Sequence, residues 1–499
     1  MNSLIHLNRR GLAMAPLLAA LVLAGCATAP PPPDAKIAVP TAFKEGAPDT
    51  AIPVPQGQWK TAEPAEAQAR GQWWLAFNDP ALNQLQDQAV AASPNLAVAA
   101  ARVKAARASL NSSQADRLPQ IGVTFGTGRQ KSSAVDLGLP AGSSAPPVTA
   151  WRSGLTASYE VDFFQRVSNS IDAATADAAA TEAAYCSVLL ALQADVAQTY
   201  FQLRTLDAEV ALLDRTLGLR NENLQLTEKR YKSGDISEFD TARARTEYNT
   251  TLAEARGLKG TRAQVEHALA LLLGQAPAAF TAPSAPLTSE SAVPAVPAGL
   301  PSALLERRPD VAAAQAQMMA STARVGLARS AIFPALSLTA NGGYASYELS
   351  DLFKWNARTW LVNAVLSMPL FDGGRNKANI TRAEASLEES VASYRQTVLA
   401  AFGDVEDKLS SLSAVRGQAE ALDNAVVSAR RSADLADKRY RAGEDSYLTL
   451  IDTQRSLLAI ERQAVQLRGS WATSTVGLIR ALGGSWAPAG TVSAVAGKG

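Results

Sequence analysis

The chain has 499 residues, with 47 Lys and Arg against 46 Asp and Glu, and only two histidines. So balanced a charge leaves no broad basic face and argues against nucleic acid as a partner. His6 falls in a predicted leader, so His267 is the one histidine left to the mature chain, and no metal cluster or histidine-based triad can be assembled. No active site, metal or cofactor is expected.

The first element is that leader. Arg9 and Arg10 precede an apolar run from Leu12 to Ala24, and Leu23-Ala24-Gly25-Cys26 then reads as a lipoprotein signal cleaved before Cys26. A thioether diacylglycerol on Cys26 plus an acyl group, such as palmitate, on its new amino terminus would supply the two anchors that stable attachment needs. Ala27, where aspartate would suggest retention at the inner membrane, is similar to bacterial lipoproteins sorted to the outer membrane. Removing Arg9 and Arg10 takes two from the 47 basic side chains, which leaves a mature charge near −1. Cys186 then lacks an intramolecular disulfide partner and is expected to serve as a small apolar side chain. Past Cys26 no apolar run reaches the roughly 20 residues of a membrane-spanning helix, so any crossing must use β-strands.

Beyond the leader the chain repeats itself. Pro94, Ala108 and Pro119 fall on Pro309, Ala323 and Pro334 at an offset of 215 residues. Trp151, Arg166, Asp195-Val196 and Lys229-Arg230-Tyr231 fall on Trp360, Arg375, Asp404-Val405 and Lys438-Arg439-Tyr440 at an offset of 209. The change of register lies in the Ser/Gly/Pro-rich stretch between Gly128 and Trp151, a longer loop in the first copy. The predicted organisation is a signal peptide, 1–25; a lipid-anchored segment, 26–78; repeat 1, 79–275; a Pro-rich linker, 276–301; repeat 2, 302–484; and a tail, 485–499.

Each copy reads as helix, strand, strand, long helix, turn, shorter helix. No proline interrupts the spans between Pro147 and Pro277 or between Pro369 and Pro488, and both are rich in strong helix formers. Leu189, Val196, Leu203, Val210, Leu217 and Leu224 recur every seventh residue, with Leu192, Leu206 and Leu213 interleaved, which predicts a coiled-coil seam. Its counterpart, Val398, Val405, Leu412, Ala419, Val426 and Ala433, uses smaller side chains. A plain helical bundle explains these heptads equally well. At roughly 1.5 Å per residue, a helix from Ser168 to Tyr231 is about 96 Å long, and helices over Pro94–Arg117 and Phe239–Gly274 sum to about 90 Å, so two short helices can flank one long one.

The strands separate the two readings. Ile121 to Phe125 and Leu336 to Ala340 alternate apolar with small or polar residues. Leu155, Ala157, Tyr159, Val161 and Phe163 share one parity, as do Trp360, Val362, Ala364, Leu366, Met368 and Leu370, while Glu160 and Asp162 take the opposite one. With Trp151, Trp360, Tyr344 and Tyr347 as an aromatic girdle, this is the pattern of a transmembrane β-barrel. Four strands cannot close one, because the smallest have about eight; three chains would give twelve.

The run GQWWLAFNDPALNQLQDQAVAASPNLAVAAARVKAARASL, together with YEVDFFQR, MPLFDGGR and KRYRAGEDSYLTLIDTQRSLL, resembles the TolC-like outer membrane factors, particularly the acylated NodT/OprM branch, over residues 70–485. The resemblance implies a homotrimer with a twelve-stranded barrel in the outer membrane, an equatorial 276–301 segment and a twelve-helix α-barrel across the periplasm. It also implies two partners, a periplasmic adaptor and an inner-membrane transporter of the resistance-nodulation-division type, with ABC, MFS and type I secretion exporters as the alternative. The turns at 232–239 and 441–448, with Gly234, Asp235, Gly443 and Glu444, are the expected adaptor contacts. The resemblance places the gate at the second of them, with Leu448 and Asp452 forming apolar and acidic rings and Arg455 or Arg439 pairing with carboxylates as a latch. Read without the resemblance, Asp452 is an ordinary i, i+3 partner of Arg455. The first-copy position is Arg243, so only one tip is expected to be acidic. An enzyme and a non-conducting coiled-coil lipoprotein are the competing functions; the first lacks His and cofactor loops, the second leaves the paired strands unexplained. The cargo is open, although Met318, Met319 and Met368 are too few for a methionine-lined copper path.

Overall fold

The computed structural model describes residues 28–33, 35, 37, 39–45, 72–135, 137, 138, 140, 144–287, 293, 294, 296 and 307–484. The predicted leader, the expected acylation site Cys26 and the 485–499 tail therefore lie outside the described residues, as does much of the 26–78 segment and of the 276–301 linker. In chain order the elements are α1 (Pro80–Ala92), α2 (Pro94–Ala115), β1 (Gln120–Gln130), β2 (Val148–Val161), α3 (Arg166–Lys232), α4 (Glu238–Leu272), α5 (Pro309–Ser330), β3 (Ala335–Ser346), β4 (Arg358–Ser367), α6 (Arg375–Ala442) and α7 (Tyr447–Ala481). The order α, β, β, α, α recurs with nearly equal lengths: α2 and α5 have 22 residues each, α3 and α6 have 67 and 68, and α4 and α7 have 35 each. No described helix is long and apolar enough to cross a membrane.

The chain divides into two compact units, one of residues 1–36, 102–182 and 313–395, the other of residues 37–101, 183–312 and 396–499. The first unit holds one antiparallel sheet in the order β1-β2-β3-β4. Prolines set its limits: Pro119, Pro147 and Pro334 precede strands and Pro369 follows one, each lacking the N–H that a ladder needs. Pro369 is why β4 stops at Ser367, so that Met368 and Leu370, expected within it, lie beyond its end. Phe163 likewise falls past β2, because Asp162 turns the chain and accepts from the backbone N–H of Val167 (2.9 Å) and Ser168 (2.8 Å) at the start of α3. Asp372 serves α6 in the same way, accepting from the N–H groups of Gly374 and Asn376.

The pairing register sorts the sheet into two faces. Ile121, Ala157, Ala340 and Val362 form one row and Val123, Leu155, Gly342 and Trp360 the next, all on one face. On the opposite face, Gln120, Ser158, Thr339 and Asn363 form a row, and Thr124, Gly154, Gly343 and Thr359 another. A period of two thus gives one apolar and one polar face. Below the strand ends, ion pairs join the helical segments of the same unit: Arg107 with Glu182, Arg324 with Asp177, and Arg329 with Glu384.

The second unit is helical. Trp73, Trp74 and Phe77 of a 3-10 turn pack with Leu82, Tyr200, Phe201, Val476 and Ile479. Leu192, Val196 and Leu203 of the predicted seam pack with Leu96, Leu269 and Leu273. In the second series Val398 and Val405 are buried, while Leu412, Ala419 and Val426 are half-buried. The first described stretch of the Pro-rich linker is pinned by a buried carboxylate. Asp207, 1% exposed, receives Arg204 at 3.0 Å, Arg262 at 2.7 Å and the N–H of Ala285 at 3.0 Å, and Arg204 in turn donates to the carbonyl of Pro283. Each charge in this knot has a partner, as burial requires.

Candidate functional site

The predicted site lies at the two helix turns of the second unit. Gly234 and Gly443 adopt φ of 77° and 79°, a left-handed conformation that glycine takes without steric cost. Identical bonds close the turns: the N–H groups of Gly234 and Asp235 donate to the carbonyls of Tyr231 and Arg230, and those of Gly443 and Glu444 to the carbonyls of Tyr440 and Arg439. Ser446 caps α7, accepting from the N–H of Thr449 at 3.3 Å, whereas Ser237 makes no such bond to α4. An apolar cluster underlies the turns, in which Ala244 of the first hairpin meets Ala436, Tyr440, Tyr447, Leu450 and Ile451 of the second. The Tyr440 and Tyr447 rings lie 5.5 Å apart, and the Arg230 guanidinium sits 5.0 Å from the Tyr440 ring centre. Burial pushes the Tyr447 hydroxyl up to about 12.

Leu448 and Asp452 face a groove between α6 and α7 that is also lined by Ala429, Ser432, Thr449, Thr453 and Ser456. Leu448 is 44% exposed. Asp452 approaches Arg455 at 3.8 Å, so the i, i+3 pairing read from the sequence is present. Arg439 lies only loosely against Asp445, at 3.7 Å. Arg243, the first-copy counterpart of Asp452, turns its guanidinium onto the Phe239 ring at 4.5 Å instead.

The stronger partner of Arg455 is one that sequence reasoning missed. Glu247 of α4, only 6% exposed, receives Arg455 on one carboxylate oxygen and Arg220 of α3, itself 3% exposed, at 2.7 Å on the other. Burial lowers the Arg220 pKa and the Glu247 charge opposes that, while the hydrogen bond to Glu247 raises that of Arg455. One turn-pair further along, Arg462 meets Glu254 at 3.3 Å and Glu209 at 3.7 Å. The signal was available: Glu247 and Glu254 on α4, and Arg455 and Arg462 on α7, are each seven residues apart, the spacing of two facing helices. Among the described residues no group of His, Cys, Asp or Glu is arranged to hold a metal ion.

Of the expected girdle, Trp151, Tyr344 and Trp360 share the apolar face of the sheet, with Phe125 6.3 Å from Trp151. Tyr347 follows the last residue of β3 and belongs to the loop.

A sheet with one apolar face, joined through Asp-capped turns to pairs of very long helices, defines a membrane channel subunit. The chain belongs to the outer membrane efflux protein family, whose model matches residues 85–275 and 300–484. It is 33% identical to the pyoverdine export outer membrane protein OpmQ of Pseudomonas aeruginosa, over 94% of this chain and 96% of that one. It is 36% identical to the solvent efflux pump outer membrane protein SrpC of Pseudomonas putida, over 82% and 86%. Among solved structures, the open-state MtrE outer membrane channel of Neisseria gonorrhoeae superposes with a TM-score of 0.78 at 27% identity, over 92% of this chain and 98% of that one. The protein is an outer-membrane channel component of an efflux pump that extends into the periplasm, in a family of channel proteins rather than enzymes.

Proposed function

We propose that three copies close a twelve-stranded barrel over a twelve-helix periplasmic tube, built from two structural repeats per chain, and that this is a passive exit duct. The carrying observation is the four-stranded sheet: among the described residues β1 and β4 each pair on one side only, and one face is apolar. Unpaired edges are untenable in lipid, and closure by further copies removes them. A periplasmic adaptor contacting Gly234, Asp235, Gly443 and Glu444, and an inner-membrane transporter of the resistance-nodulation-division type, would complete the pump and supply its energy. Leu448 and Asp452 form the closure at the second tip, and Arg455 on Glu247 holds that tip to the first hairpin. The cargo is left open: the relatives are named for pyoverdine, solvents and toluene.

The lipid on Cys26 belongs to the same proposal. Cys26→Ser is expected to abolish palmitate labelling while the barrel still inserts; label on the Ser variant would overturn the assignment. The duct itself is tested by single-channel conductance of the purified protein in planar bilayers, with stoichiometry from cysteine cross-linking of β1 to β4. Discrete conductance steps from a cross-linked trimer are expected. A trimer without conductance would sink the duct and favour a structural lipoprotein.

A further inference from the structure

The helical segments of the first unit leave the sheet at Gln120, Val161, Ala335 and Ser367, so its loops, 131–147 and 347–357, lie at the opposite end of every strand. With the helices in the periplasm, that loop end is the outer end. In the proposed duct the apolar face of the sheet meets lipid, and the polar face therefore lines the bore.

That polar face is almost free of charge. Among its strand residues only Glu160 and Arg152 are charged. Glu160, at the helix end of β2, is neutralised, because Arg166 donates to both of its carboxylate oxygens. Arg152, toward the loop end of the same strand, is exposed and has no such partner: no ion pair to it forms among the described residues. Its neighbours across the strands are Gly126 on β1 and Ala345 on β3, which offer no side-chain oxygen. A Cβ placed on Gly126 would meet nothing within 4 Å, so the surface beside the guanidinium is open. An unpaired cation is costly in a core but keeps its hydration in a water-filled bore, where rings of Arg or Lys favour the passage of anions.

Its depth follows from the preceding residue. Trp151 belongs to the apolar face and to the expected girdle, which marks where hydrocarbon ends, so the Arg152 backbone lies at the outer mouth. The second repeat carries Leu361 at the matching position, so each chain supplies one such arginine and three copies supply three. Twelve strands about 4.8 Å apart and tilted about 40° would close a wall roughly 24 Å across. Charge is felt over about 8 Å at physiological ionic strength, so three guanidinium groups pointing inward from that wall cover most of the opening.

We infer that Arg152 of the three copies forms a basic ring at the outer mouth that binds oxyanions, carboxylates and phosphates above all, on their way out. The inference rests on the proposed trimeric duct. It gives the outlet a selectivity opposite in sign to that of Asp452 at the second helix turn. A guanidinium suits this cargo chemistry because its parallel N–H groups match two oxygens of one carboxylate or phosphate.

The test records the full-length protein in planar bilayers, with the reversal potential taken in a potassium chloride gradient and inorganic tripolyphosphate added to each chamber in turn. Tripolyphosphate should block from one chamber far more than from the other, since the Asp452 carboxylates repel it at the inner entrance. Arg152→Gln should abolish that block and raise the permeability of cations over anions about threefold, the effect of one unit charge felt at about 8 Å in water. Arg152→Lys should keep the permeability ratio and weaken the block, because an ammonium lacks the two-pronged contact. Arg129→Gln, on the lipid-facing side of β1, should change neither. A conducting, unsubstituted protein that tripolyphosphate blocks from neither side would overturn the ring, and that result stands even if no variant assembles. An unchanged ratio in a conducting Arg152→Gln, or equal changes in Arg129→Gln, would overturn it too. Protein that inserts but carries no current would instead remove the duct, and the ring with it.

Discussion

The two helix turns share a backbone and differ in nearly everything else. Both end on Lys-Arg-Tyr, both bend at a left-handed glycine and both close with the same pair of hydrogen bonds. Yet Tyr440 is 3% exposed and its counterpart Tyr231 is 45% exposed; Leu448 is 44% exposed and Phe239 63%. The first hairpin contributes what the second uses: Arg230 covers the Tyr440 ring and Glu247 receives Arg455. Local sequence sets the shape of a turn, and the neighbour on its flank decides whether that turn is braced. In the proposed duct the first hairpin is the brace and the second the moving closure.

Removing the brace carries the largest expected effect. Glu247→Ala leaves the buried Arg220 without its carboxylate, a loss in the range of about 3–5 kcal/mol for a broken buried pair. The variant should unfold at lower urea, and its tip should be cut by trypsin where the parent resists. Arg455→Gln should cost less, about 1 kcal/mol, because Arg455 is largely exposed and Arg220 keeps its partner. Ser456→Ala, at the position matching Glu247 in the second copy, should be near neutral, since the Ser456 hydroxyl only donates to the Asp452 carbonyl. Equal losses from Glu247→Ala and Ser456→Ala would end the distinction between brace and closure.

Next in size is the gate. Asp452→Ala should lower the preference for cations over anions severalfold in planar bilayers and weaken block by divalent cations, and Leu448→Ala should raise conductance. The same experiments on Arg243→Ala and Phe239→Ala should change selectivity less, because Arg243 stacks on Phe239 and no acidic ring is lost. A large selectivity change at the first tip with none at Asp452 would move the gate to the other hairpin.

Alkali separates the tips by a further measurement. Tyr447 is buried in the second, and the first has the exposed Glu238 at the matching position. With the folded hydroxyl at about 12 and an unfolded tyrosine near its ordinary value of 10, the folded state keeps a proton that the unfolded state loses between those limits. Stability is therefore full below pH of about 10 and declines up to about 12, by about 3 kcal/mol for this group. Tyr447→Phe should remove that part of the decline in urea titrations at pH 8 and pH 11. Tyr200, also pushed up to about 12 by burial, should retain its own share. An unchanged difference between the two pH values would mean that Tyr447 titrates outside this window.

Much of this was legible because the long elements advertise themselves. The 64-residue stretch expected from Ser168 to Tyr231 is the core of a 67-residue α3, since proline-free runs of helix formers leave the backbone no alternative. Strand parity was equally plain, as alternation assigns faces without knowledge of partners. Strand ends were less so: Phe163, Met368 and Leu370 kept the parity of a strand after capping by Asp162 and the missing N–H at Pro369 had ended it. The latch was the real omission. Asp452 drew attention to its own helix neighbour, while Arg455 is claimed by Glu247, a residue 208 positions away that only the approach of the two hairpins brings within reach. Pairing across a repeat is written in matched heptad spacings, which must be compared between copies to be seen.

The smallest expected effect is at the helix starts. Ser446 and Ser237 occupy equivalent positions, with φ of −83° and −79° and extended ψ, yet only Ser446 accepts from an N–H of its helix. The Ser237 hydroxyl instead donates to the Asp240 carboxylate at 3.2 Å, so it satisfies none of the free N–H groups of the first turn. Losing a serine cap typically costs about 1 kcal/mol. Ser446→Ala should therefore lower the urea midpoint by a measurable step and loosen α7 at Leu448, which sits two residues beyond the cap. Ser237→Ala should cost only a few tenths of that, because Glu238 and Asp240 remain in the first turn of α4 to favour its N-terminal dipole. Hydrogen exchange at the Thr449 amide reads the difference directly: it should quicken in Ser446→Ala and stay unchanged in Ser237→Ala. Faster exchange in both variants would show the two hairpins starting to open as one body, and the contrast between a fixed and a moving tip would fail.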